Sequence, residues 1–152
     1  MKFEKFLKGV GTHGEVIERI NGDKWLLCGG VGMIIPKGVD NLLGKTGSSK
    51  YAPIVDAITN AELDDPLTLH DAVVLDPAGN AKSIVRIFRT DFGDNVGIIN
   101  GDYGLLEKKD LLGYCEIEVP EKDDEPEHTI KYVLVYDKAH HIQGFITGLQ
   151  GF

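Results

Sequence analysis

The chain has 152 residues, 42% hydrophobic and 26% charged, with a formal net charge of −8. That suits one domain burying roughly two-thirds of its unfolded surface, and it excludes fibrous, disordered and disulfide-stapled classes. The opening Met1 to Lys8 alternates charge with bulk and no later run approaches a signal or membrane span, so a cytoplasmic protein without membrane contact is expected.

Phe3, Phe6, Leu7 and Val10 fall at 3, 4 and 7 spacing, which predicts an amphipathic helix with Lys2, Lys5 and Lys8 on its opposite face and Gly9 and Gly11 at its end. Glu15 to Ile20 and Lys24 to Cys28 flank Asn21-Gly22, the composition of a two-residue type I′ hairpin turn. Val31 to Pro36 reads as a third strand, entered through Gly29-Gly30, which is taken as a bulge or a close backbone approach. From Lys37 to Lys50 the composition turns to Gly, Ser, Lys and Asn, a long loop. Ile54, Val55 and Ile58 then mark a helix of about ten residues with Pro53 in its first turn.

The second half reads mostly as strand. Leu67 to Leu75 and Ala81 to Thr90 form a hairpin around Asp76 to Asn80, and Asp91-Phe92-Gly93-Asp94 turns the chain into Asn95 to Asn100. Leu105 to Gly113 is expected to hold a short helix bearing Lys108, Lys109 and Asp110. Cys115, Ile117 and Val119 alternate with Glu116 and Glu118, a strand with one wet face. Thr129 to Tyr136 and His141 to Thr147 close a last hairpin. Ile20-Asn21-Gly22-Asp23 recurs as Ile99-Asn100-Gly101-Asp102, a recurrence that turn chemistry alone favours. The order predicts a single α+β domain over residues 1–152, an antiparallel-rich sheet carrying two or three helices mainly on one face.

Charge is unevenly placed. Residues 1–50 hold 8 Lys/Arg against 5 Asp/Glu, and residues 51–152 hold 8 against 19. Between Glu116 and Glu127 seven acids stand against Lys122 alone, a solvated loop or a docking site for a basic partner.

No motif predicts catalysis, a cofactor or a metal. Gly44-Lys45-Thr46 lacks the glycine a phosphate loop needs at position 39, where Val39 stands, and Gly29-Gly30-Val31-Gly32 precedes no helix that could receive a pyrophosphate. Asp91, Asp94 and Asn95 miss the spacing of a calcium loop. His140 and His141 point apart in a regular strand, whereas a turn would permit both to face one metal, and His13, His70 and His128 stand isolated. Ser48, Ser49, Ser83, Cys28 and Cys115 sit in no nucleophile signature, and the cysteines read as core thiols in a reducing compartment. Asp64-Asp65 and Glu116 with Glu118 read as solvated charge.

Helix then three strands from Lys2 to Pro36, short helix then three strands from Leu106 to Leu149, and the closing Thr129-Ile130-Lys131-Tyr132-Val133-Leu134-Val135-Tyr136 through Gly144-Phe145-Ile146 together resemble sliding-clamp domains, the processivity factors of DNA polymerases, including small ones encoded by phages and mobile elements. The resemblance implies two helices side by side on one sheet face, turning Lys2, Lys5, Lys8, Lys108 and Lys109 towards DNA or a replication partner. It departs from that family's two-fold regularity between residues 54 and 100. The expected function is a non-enzymatic binding or assembly protein, with association of several copies left open. The alternative is a small enzyme with a pocket under the loop 37–50.

Overall fold

A computed structural model describes residues 1–39, 52–74 and 84–152. The loop from residue 40 onward, with Gly44-Lys45-Thr46, Ser48 and Ser49, lies outside the described residues. So do the turn at 76–80 and Ser83.

The apolar stripe forms α1, Phe3–Val10, and buries Phe6 and Val10. Gly11 ends it at φ 57°, a conformation favouring glycine. Three strands follow, β1 (Glu15–Glu18), β2 (Lys24–Cys28) and β3 (Val31–Ile34). The second helix, α2, spans Ala52–Thr59 with Pro53 in its first turn, and buries Val55 and Ile58. Then come β4 (Thr68–Val74), β5 (Ile84–Arg89), β6 (Asn95–Ile99) and the four-residue α3 (Asn100–Tyr103). The chain closes through β7 (Leu111–Val119), β8 (His128–Tyr136) and β9 (Ile142–Thr147). Among the described residues, helix followed by three strands therefore occurs three times.

The strands pair antiparallel throughout, in two sheets: β1-β2-β3-β9-β8-β7, and β4-β5-β6. The α+β class is as expected, but the sheet is divided. Alternation gives the larger sheet two apolar faces. Leu26, Met33, Val133, Val135 and Ile146 pack with Phe6 and Val10 of α1 and with Phe88, Val96 and Ile98 of the smaller sheet. Trp25, Leu27, Tyr132, Leu134 and Phe145 pack on the other face with Val55 and Ile58. The six-stranded sheet is thus a middle layer. Both α1 and, through Tyr103, α3 join the first cluster, while α2 covers the second alone. Arg19 fixes α2 to the first hairpin by a forked ion pair on Asp56, with Nε to Oδ1 at 2.7 Å and Nη2 on Oδ2.

The seam of the larger sheet is the β3–β9 pair, where Val31, Gly32 and Met33 face Ile146, Phe145 and Gly144. Two glycines permit it. A Cβ on Gly144 would lie 2.5 Å from the Gly32 carbonyl oxygen, and one on Gly32 would strike Phe145 and stand 2.7 Å from Leu27 Cδ2.

The turns differ from the sequence-based expectation. Gly22 is at φ 89° but Asn21 is not left-handed, so the first hairpin is not type I′. Instead Arg19 accepts from the Gly22 N–H at 2.9 Å and donates to Asp23 at 2.8 Å, the pattern of a type I turn closed by a bulge residue. The Asn21 side chain accepts from the Asp23 N–H at 2.9 Å, which holds Asn21 in this form. The type I′ position belongs to Gly29 and Gly30, both at positive φ between paired Cys28 and Val31. Gly101, the counterpart of Gly22 in the repeated tetrapeptide, is helical in α3, so the recurrence carries no shared structure.

The bulged turn recurs at Thr90–Asp94, with Gly93 at φ 91°, and at Asp137–His141, with His140 at φ 64°. His140 is the one non-glycine at positive φ among the described residues. The Asp137 carboxylate accepts from the backbone N–H groups of Ala139 and His141, each at 2.9 Å, and these bonds hold its pKa below the usual value. Replacing His140 with glycine relieves left-handed strain of about 1–2 kcal/mol and gives back about half as unfolded-chain entropy. His140→Gly is therefore expected to raise Tm by about 2 °C in a thermal melt, and an unchanged or lower Tm would show the position is unstrained.

Candidate functional site

The lysine face of α1 is placed by its docking onto the segment after α3. The Lys2 N–H donates to the Leu105 carbonyl at 2.8 Å, and the Met1 ammonium donates to Asp110 Oδ1 at 2.9 Å. Asp110 is nearly buried and its Oδ2 also accepts the Glu107 N–H at 2.8 Å. Lys5 Nζ donates to the Gly104 carbonyl at 3.3 Å. The helix thus lies along residues 104–110, with Phe6 and Leu105 in the same core cluster.

This arrangement corrects the placement of Lys108 and Lys109. They are not on a helix: Glu107–Asp110 is a tight turn closed by the Asp110 N–H on the Glu107 carbonyl at 3.1 Å. The apolar pair Leu111-Leu112, within the stretch expected to hold that short helix, instead enters β7 opposite Tyr136 and Val135. Pairing along a long neighbouring strand outweighs weak local helix propensity. The helix of this region is α3, ahead of the lysines.

Lys2, Lys5 and Lys8 are all exposed. None pairs with a carboxylate among the described residues; Lys5 rests on a carbonyl, and Lys108 has no ion pair there either. Lys109 does pair, to Glu107 at 3.4 Å, with both side chains substantially exposed, so the pair adds little stability. The ammonium groups of Lys2, Lys5 and Lys8 rim a groove of about 980 Å³ whose floor includes Phe3, Leu7, Pro36 and Val39. Glu4 and Glu107 interrupt the basic rim. The groove floor and the buried anchoring role of Asp110 were not read from the sequence, although Glu107-Lys108-Lys109-Asp110 is a compact polar tetrad of the kind that makes turns.

The opposite face of the middle sheet holds an apolar cavity of about 390 Å³ between Leu27, Tyr132 and Phe145 of the sheet and Ile54 of α2. It bears on the enzyme alternative, because α2 directly follows the segment from residue 40. Among the described residues its polar lining is His13, Glu15, Cys28, Tyr132 and Thr147. His13 and Glu15 are exposed at its mouth, and the Thr147 hydroxyl is engaged with the Gly30 carbonyl at 2.6 Å. Catalytic sites need polar groups aimed at a common point.

The remaining polar clusters have structural roles. Asp94 and Asn95 lie at the bulged turn, where the Asp94 N–H donates to the Thr90 hydroxyl and Asn95 Oδ1 accepts from Arg89 Nε. His141 lies 3.6 Å from Asp137. Among the described residues no three His, Cys, Asp or Glu side chains gather as a metal site would require. Cys28 and Cys115 are both unbridged and half-buried, and burial, then Glu116, pushes the Cys115 thiol up, away from nucleophilic character. Burial and the hydrogen bond to Glu116 at 2.8 Å likewise raise the Tyr114 phenol.

No helix among the described residues is long and apolar enough to cross a membrane. Comparison with protein-family models, with curated proteins and with solved structures found no match.

Proposed function

We propose that the chain is a non-catalytic binding module that engages an anionic macromolecule through Lys2, Lys5 and Lys8, with Lys108 and Lys109 beside them. One observation carries this reading: Lys2 at the N-cap of α1 and Lys5 and Lys8 within it are all exposed, and none of them forms an ion pair among the described residues. Lysines held in internal ion pairs would have to break those pairs before meeting a partner; these do not. Duplex DNA is the partner that the clamp-like element order favours. Supporting that version, the first and last helix-and-three-strand units share one sheet through β3 and β9, and α1 lies along the segment that follows α3. A phage- or mobile-element-encoded module acting with replication proteins in the cytoplasm is the setting that fits, and two unbridged thiols agree with a reducing compartment.

The test is binding to a short DNA duplex at low salt. Five lysines can neutralise at most about five phosphates, so affinity should fall roughly 10²- to 10³-fold between 50 and 200 mM salt. Reversing Lys2, Lys5 and Lys8 to glutamate should weaken binding at least tenfold and flatten that salt slope. Unchanged affinity in the triple variant would overturn the assignment of the surface.

A second reading draws on the groove floor. Phe3, Leu7, Pro36 and Val39 offer apolar surface that a phosphate backbone has nothing to cover, whereas a polypeptide with acidic and apolar side chains covers both floor and rim. The whole chain's charge of −8 also opposes DNA at long range.

A further inference from the structure

The chemistry that fits this groove is present elsewhere in the chain. β8 pairs with β9 only from Tyr132 to Tyr136, but β7 and β8 continue together to Val119 and His128. Beyond Lys131, whose carbonyl still accepts from the Gly148 N–H at 2.7 Å, the two strands run on as an arm with no third strand beside it among the described residues. Lys122 and Glu125 exchange backbone hydrogen bonds at 3.0 and 2.9 Å and close its tip around Asp123-Asp124. From Glu116 to the tip the arm extends roughly 25 Å at strand rise. Ile117 faces Ile130 across the ladder, both packed against the second core cluster, and the half-buried Val119 beyond them shares their side. Residues 120–127 are all exposed. Glu116 bonds Tyr114, but Glu118, Glu121, Asp123, Asp124, Glu125 and Glu127 make no side-chain hydrogen bond or ion pair among the described residues.

We infer that the acidic β7–β8 arm of one copy docks in the lysine-rimmed groove of a second copy, so that the chain assembles head to tail. This rests on the second reading of the groove, as the site of an acidic and apolar polypeptide. Two independent features meet: a groove with an apolar floor and three lysines that form no ion pair among the described residues, and an arm whose carboxylates from Glu118 to Glu127 are likewise unpaired there. The two patches differ, so the contact is heterologous and propagates into a ring or a filament instead of stopping at a dimer.

The experiment is sedimentation velocity on the full chain from 5 to 500 µM, in 50 and 300 mM NaCl, using wild type and two reciprocal charge reversals. One carries Lys2→Glu, Lys5→Glu and Lys8→Glu; the other carries Glu121→Lys, Asp123→Lys, Asp124→Lys and Glu125→Lys. All changes are at exposed positions, and circular dichroism checks that both variants fold. Wild type should grow beyond a dimer with concentration, with association weakened at least tenfold at high salt. Each variant alone should stay monomeric, because groove and arm then carry the same sign. An equimolar mixture should associate again, because each groove then meets an arm of opposite sign. A wild type that remains monomeric at 500 µM in 50 mM salt, or a mixture that fails to associate, overturns self-assembly. If that monomer still binds a DNA duplex or poly-glutamate and the lysine reversal abolishes this, the surface assignment survives and only the identity of the partner falls. Loss of both overturns the two together.

Discussion

Gly144→Val should destabilise the six-stranded sheet more than an ordinary overpacked core site does. Overpacking a core ordinarily costs about 1–3 kcal/mol because neighbours shift or adopt poor rotamers. At Gly144 the obstacle that cannot give way is the Gly32 carbonyl oxygen, 2.5 Å from where a Cβ would stand and part of the ladder that joins the two halves of the sheet. Backbone cannot yield there without opening β3 from β9, so a cost of about 3 kcal/mol or more is expected, a large share of the roughly 5–15 kcal/mol that stabilises most domains. Gly144→Ala should show a smaller effect of the same sign. Urea unfolding followed by circular dichroism reads both, and a midpoint for Gly144→Val within error of wild type would mean that β3 and β9 are not so closely joined.

The next largest effect is expected at Trp25, which is fully buried, packs on Phe145 with ring centroids 6.1 Å apart, and lies between Ile17 and Ile34 of the flanking strands. Trp25→Ala removes that volume from beneath α2 and should cost about 3–5 kcal/mol. The indole N–H has no hydrogen-bond partner among the described residues, and a buried donor left unmade carries a penalty of about 1–3 kcal/mol. Trp25→Phe deletes the donor and keeps most of the ring contact, so it should cost far less than truncation, about 1 kcal/mol or under. Unfolding midpoints of the two variants, read by circular dichroism because this is the sole tryptophan, decide the matter. A phenylalanine variant as unstable as the alanine one would mean that the N–H is satisfied in solution.

What the sequence disclosed tracks how local each cause is. Helix α1 was legible because Phe3, Phe6, Leu7 and Val10 repeat at the helical period and Gly11 supplies the left-handed stop. The first and last hairpins were legible from alternation around turn residues. Turn types were exchanged, because Asn-Gly serves both a type I′ turn and a bulged type I turn, and only the pairing of Cys28 with Val31 gives Gly29-Gly30 the first role. The division into two sheets was hidden for a different reason. That Val31 pairs with Ile146 is decided by which apolar faces meet across more than a hundred residues, and no window of sequence contains both. The same limit applied to the site. The helical period exposed Lys2, Lys5 and Lys8, but the groove floor joins α1 to Pro36 and Val39 through tertiary packing, and Lys108 and Lys109 followed Leu111-Leu112 out of a helix once β8 offered that pair a ladder.

The order of the middle layer also governs when the protein can form. β9, the last of these strands to leave a ribosome, is an interior strand with β3 on one side and β8 on the other. Until it arrives, both neighbours present unsatisfied amide and carbonyl rows, the kind of edge that recruits foreign strands. Such wide sequence separation slows folding, so a nascent chain stalled before residue 142 should be the species most prone to aggregate and most in need of a chaperone.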